Sequence, residues 1–171
     1  MSEAQAGAGA PQLTADQAKK ALERLRKDQN LVGGLGAGVV AALIGAVVWA
    51  VVTDATGYQI GWMAIGVGFI VGYAVKFVGK GIDKSFGYLG AALALFGCVL
   101  GNALAVLGIV ADAQHVTYGE LWASITPSML LNLMTVTFSP MDLLFYGIAL
   151  YEGYKLSFRQ LTADEVHAAA V

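Results

Sequence analysis

The stretch GWMAIGVGFIVGYAVKFVGKGIDKSFGYLGAALALFGCVLGNALAVLGIVA, residues 61–111, decides the fold. It contains two apolar runs, 61–79 and 85–111, separated by a short polar turn, and Lys76 is the one charge within them. A bilayer core about 30 Å thick takes roughly 20 apolar helical residues to cross, because lipid offers no partner to an unpaired backbone amide. Both runs meet that length. Neither shows the one-sided stripe of a water-soluble helix, so each is built to be apolar all round.

On either side of this stretch, residues 31–53 form a third run without any charge, and residues 140–158 a shorter and more polar fourth. Ser139, Pro140 and Asp142 mark the fourth start, as an N-cap, a first-turn proline and the third member of a capping box. Over the whole chain 57% of residues are hydrophobic and 13% charged, outside the range of ordinary soluble domains. The expected fold is all-α, an integral membrane four-helix transmembrane bundle with short interfacial helices. The predicted spans are 31–53, 61–79, 85–111 and 140–158.

Charge placement sets the orientation, since Lys and Arg are retained on the cytoplasmic side during insertion. All ten basic residues fall on one side of this arrangement: Lys19, Lys20, Arg24, Arg26 and Lys27 before the first span, Lys76, Lys80 and Lys84 around the second turn, Lys155 and Arg159 at the end. The opposite loops, 54–60 and 112–139, contain none and carry Asp54, Asp112 and Glu120. The expectation is a bacterial inner (plasma) membrane protein, N-in and C-in. The start of the chain has neither a basic nor an apolar signal region, so the first span is expected to direct insertion.

Residues 117–138 are long and apolar enough to compete as a fifth span. That would carry Lys155 and Arg159 outside, and Pro127 interrupts the run. Two short interfacial helices at the outer surface are preferred, one capped by Thr117 with Glu120 and one restarting at Thr126 and Pro127. Residues 1–12 read as a disordered N-terminus, 13–30 as a cytoplasmic amphipathic helix, and 159–171 as a cytoplasmic tail. In the amphipathic segment Thr14 with Gln17 forms a capping box, and Ala18, Ala21, Leu22 and Leu25 share a face. It suits anionic lipid, or a docking partner. Thr162 with Glu165 caps the tail.

Twenty-two glycines recur in the spans at intervals of three, four or seven. GxxxG occurs at Gly34 with Gly38, Gly68 with Gly72, and Gly97 with Gly101. Small residues permit the close helix approach that holds helices together in lipid. Two uses stand open: contacts within one bundle, or homo-oligomerisation through a spare ridge. The polar intramembrane candidates are Asn102, expected to hydrogen-bond a neighbouring helix, and Lys76 with Glu152, which lie at similar depth and are placed to pair or to snorkel. Lys80 and Lys84 are expected to contact lipid headgroups; the Gly-Lys pair at 79–80 lacks P-loop spacing.

Cys98 reads as a small apolar residue. No HExxH, GxSxG or CxxC occurs, and His115 and His167 sit in no catalytic motif, so no enzyme activity, cofactor or metal site is expected. Nothing points to nucleic acid. The expected partners are the lipid bilayer, further copies of the chain, and another membrane protein.

The runs GYQIGWMAIGVGFIVGYAVKFVGKGID at 57–83 and FGYLGAALALFGCVLGN at 86–102 resemble a group of small uncharacterised bacterial multi-pass proteins. The resemblance implies an inner-membrane location and carries no activity. The leading expectation is an oligomerising scaffold or accessory subunit; the alternative is a small oligomeric channel or transporter.

Overall fold

The computed structural model describes residues 14–58 and 60–170. The predicted disordered segment, 1–12, lies outside the described residues. All regular structure among the described residues is α-helical: α1 Ala15–Lys27, α2 Leu31–Thr56, α3 Trp62–Gly79, α4 Lys84–Gln114, α5 Tyr118–Ser124, α6 Pro127–Thr137, α7 Pro140–Leu156 and α8 Ala163–Ala170. Three of them, α2, α3 and α4, are long and apolar enough to cross a membrane. The number becomes four if α6 and α7, bent by 101° at their junction, count as one broken span.

Local chemistry accounts for the ends. Thr14 and Gln17 exchange side-chain and backbone hydrogen bonds at the start of α1. Asn30 accepts from the Gly33 N–H at 2.7 Å to open α2, and Gly57, at φ 68°, closes it in the left-handed region. Thr117 and Glu120 form the reciprocal capping box of α5, and Thr126 caps α6 ahead of Pro127.

The core is formed by α2, α3, α4 and α7. The central pair, α3 and α4, touch one another and both outer helices, whereas α2 and α7 do not meet. Matching contacts run in step: Gly34, Gly38, Ala42 and Trp49 of α2 face Phe86, Leu93, Gly97 and Gly101 of α4, while Gly61, Gly68 and Gly72 of α3 face Phe145, Ala149 and Leu156 of α7. Hence α2 runs parallel to α4, and α3 parallel to α7.

Length explains the rest. With 31 residues α4 is about 46 Å long, against about 25 Å for the 17 residues of α7. The C-terminal turns of α4 therefore overhang α7. There Leu107 and Ala111 are buried with Leu121 of α5, and Val110, Ile125 and Leu130 pack against them. The sharp bend into α7 turns α6 across the end of the bundle, so 117–138 is two short helices and forms no continuous span.

The outer face is apolar. Val40, Val47, Val51, Phe77, Leu143 and Leu144 are all exposed, a surface beyond what a water-soluble monomer presents. The interior is made of small residues and valines, with Ala42, Ala94, Val71, Val75 and Ala149 wholly buried.

Candidate functional site

Every basic residue belongs to α1, to the α3–α4 turn, or to the end of α7 and its exit, and these elements meet at one end of the bundle. The Asn30 N–H donates to the Gly79 carbonyl at 2.8 Å, and the Arg159 N–H to the Gly81 carbonyl at 2.8 Å. Gln29 clamps the turn from the other side: its Oε1 accepts from the Ile82 and Asp83 N–H groups at 2.9 and 3.2 Å, and its Nε2 donates to Asp83 at 2.9 Å. Arg26 pairs with Asp83 at 3.1 Å. Three chain segments, the end of α1 with its exit, the α3–α4 turn and the exit of α7, are thus tied together within a few residues.

The same junction borders an open cavity of about 430 Å³, lined by Leu25, Asp28, Lys76, Phe77, Lys80, Ile82 and Arg159. Lys76 is half-buried, with its Nζ 6.0 Å from the centre of the Tyr73 ring. Lys80 is the C-cap of α3, at φ 49°. Arg159 is half-buried and engages Glu165 through one guanidinium nitrogen. Backbone donation from Thr162, and then the Arg159 hydrogen bond, hold the Glu165 carboxyl below its ordinary pKa.

Of the two uses left open for Lys76 and Glu152, pairing or snorkelling, the structure does not show the pair. Neither takes part in an ion pair among the described residues. Lys76 turns to the cavity and Tyr73, while Glu152 brings its carbonyl against Gly72. Of the two headgroup candidates Lys80 lines the cavity, and Lys84, the first residue of α4, lies outside it.

Asn102 is buried between helices, as its amide requires. It shares a side-chain hydrogen bond with Tyr146 of α7, whose hydroxyl also donates to the Cys98 carbonyl at 3.4 Å. The Cys98 thiol lies 3.7 Å from the Ala64 carbonyl of α3. One turn apart on α2, Trp49 Nε1 and Thr53 Oγ1 are buried without a hydrogen-bond partner. Among the described residues no three His, Cys, Asp or Glu side chains come together to hold a metal ion.

The six GxxxG glycines all face neighbours in the same chain. Gly34 meets Gly79 and Phe86, Gly38 meets Val75 and Leu93, and Gly97 meets Val67 and Ala42. Gly101 receives Trp49, and Gly68 and Gly72 sit against the α7 backbone. The ridges are occupied within the bundle, so their number supplies no argument for a second copy. The glycines inside helices that are open to the outside are others: Gly36, Gly66 and Gly147.

The amphipathic helix α1 finds a partner inside the chain. It packs on α8, buries Ala21, and offers the Arg24 guanidinium to the Ala169 carbonyl at 3.2 Å. Sequence reasoning missed this pairing, along with Gln29, Tyr146 and Arg159 as members of the sites. Gln29 acts across more than fifty residues, and only the capping box at Thr162 hinted that the tail was helical. Searched against protein-family models, the curated proteins and the solved structures, the chain matches none.

Proposed function

We propose that this chain is a non-catalytic bacterial inner-membrane protein, N-in and C-in, acting as a scaffold or accessory subunit for further copies of itself or another membrane protein. The carrying observation is the division of its glycines. The inward ones are filled by neighbouring helices of the same chain. Gly66 and Gly147 are open on the outer faces of α3 and α7, beside exposed Phe69, Ile70, Leu143 and Leu144. In lipid, a small residue on an outer face lets a foreign helix backbone approach closely, and dispersion contacts then favour association. The interior supports the same view: Asn102 is spent on Tyr146, and small residues fill the seams between helices.

Extraction in a mild amphiphile, followed by mass measurement and identification of what co-purifies, tests the reading. Gly66→Ile and Gly147→Ile are expected to reduce the assembly while the monomer stays folded. A wild-type protein that runs as a lone monomer at every concentration, with nothing bound, sinks it.

A small oligomeric channel or transporter is the second reading. On its side stand Lys76 and Glu152, ionisable, half-buried and not paired with each other. Flux of common ions into liposomes containing the purified protein would favour it over the scaffold.

A further inference from the structure

We infer that the cavity at the basic end holds the phosphate headgroup of one anionic phospholipid. Three cationic residues line it from two separate places in the chain: Lys76 in the last turn of α3 with its C-cap Lys80, and Arg159 at the exit of α7. Asp28 is the one carboxylate on its wall, which leaves a net lining charge of +2, three positive against one negative. No carboxylate lies within ion-pair distance of Lys76 or Lys80 among the described residues, and Glu165 engages only part of the five-donor Arg159 fork. A phosphate matches this set: the guanidinium plane suits two of its oxygens, and each ammonium acts as a point charge.

The α3 dipole by itself opposes an anion here, since about half a negative charge accumulates at a helix C-terminus. Two full positive charges on that same turn reverse the sign. The volume, about 430 Å³, is ample for a headgroup and far beyond one water.

The walls choose between a lipid and a free phosphate. Leu25, Phe77 and Ile82 make up the apolar side. Phe77 is also the last rung of an outward ladder on α3, stacked on Tyr73 at 5.8 Å, which stacks in turn on Phe69 at 6.4 Å. All three rings are exposed. A ligand with a phosphate at the lysines and hydrocarbon against this ladder is an amphiphile. The lipid occupant rests on the membrane reading above; the phosphate chemistry does not.

The test uses the full chain, purified in a mild detergent and stripped of lipid. It is titrated with phosphatidylglycerol or with phosphatidylcholine of identical chains, and bound lipid is counted by native mass spectrometry. One phosphatidylglycerol per chain is expected, falling as salt is raised, with phosphatidylcholine held far more weakly. Lys76→Met combined with Lys80→Asn, the latter chosen because Asn tolerates the left-handed backbone, is expected to lower retention about tenfold. Lys84→Gln, which removes an equal charge outside the cavity, is expected to leave retention unchanged.

Equal retention of the two lipids by the wild-type protein overturns the proposal without relying on any variant, and so does an equal loss from Lys84→Gln. Displacement of phosphatidylglycerol by low-millimolar inorganic phosphate keeps the phosphate site and overturns the lipid as its occupant. The membrane reading fails separately, by release of the chain from membranes in an alkaline carbonate wash. That result leaves the detergent titration intact.

Discussion

Two helices end on residues other than glycine in the left-handed region, Lys80 at φ 49° and His115 at φ 55°. That conformation costs an L-residue with a Cβ roughly 1–2 kcal/mol, part of which glycine returns as lost freedom on folding. Lys80 lines the basic cavity, so there the cost accompanies the placing of a cationic residue at its wall. At His115 no such use is evident, and His115→Gly is expected to raise stability by about 0.5–1 kcal/mol, read as a higher melting temperature in detergent. A lower one would show that the imidazole contributes more than its backbone costs. Glu165 predicts a pH effect. Its folded pKa is depressed by the Thr162 N–H and by Arg159, so its contribution is present above the unfolded value of about 4.3 and is lost as pH falls through the folded one. Amide exchange in α8 should accelerate over that acidic window and lose this dependence in Glu165→Gln; an unchanged profile would remove Glu165 from the anchoring of α8. The capping role of Glu165 was legible in the sequence because it is local. Its bond to Arg159 was not, because that depends on how the chain leaves α7.

Among the elements, the starts of α1, α5, α6 and α7 fall where the capping patterns put them, since a cap is a contract between residues two or three apart. Which glycine faces which helix is another matter. Gly68 and Gly66 are two residues apart on α3, yet a Cβ at Gly68 would lie 2.8 Å from the Ala149 carbonyl oxygen and 2.9 Å from its Cα, whereas one at Gly66 would meet nothing within 4 Å. Those neighbours at Gly68 are backbone and cannot turn aside. Gly68→Ala is therefore expected to destabilise the bundle by about 1–3 kcal/mol, while Gly66→Ala raises stability by up to about 1 kcal/mol through helix propensity. Unfolding in mixed micelles compares them, and shifts of the same sign and size would contradict the assigned faces. Periodicity showed that both residues lie in a small-residue helix. It could not rank them, because every face of an all-apolar helix looks alike in sequence.

For the whole molecule, the α3–α4 turn bonds both Asn30, just after α1, and Arg159, just after α7, so the two exits lie together, and α1 packs on α8. On the proposed N-in, C-in orientation, reporters fused before Met1 and after Val171 are expected to be cytoplasmic together, and an exterior signal from the C-terminal fusion would undo that orientation. The all-helical class, the long apolar helices, their turns and the grouping of the basic residues could all be read from the residues alone. Each of those follows from the solvent and from neighbours a few positions away: apolar runs must satisfy their own backbones, and caps need nearby side chains. Packing in three dimensions was needed to learn that α3 and α4 form the central pair, that the GxxxG ridges are consumed within the chain, that Lys76 lines a cavity it shares with Arg159, and that α1 packs on α8. These are questions of which helix faces which. In a bundle whose surface and interior are equally apolar, hydrophobicity cannot answer them, and the answer comes from shape, from how closely glycine lets two backbones approach.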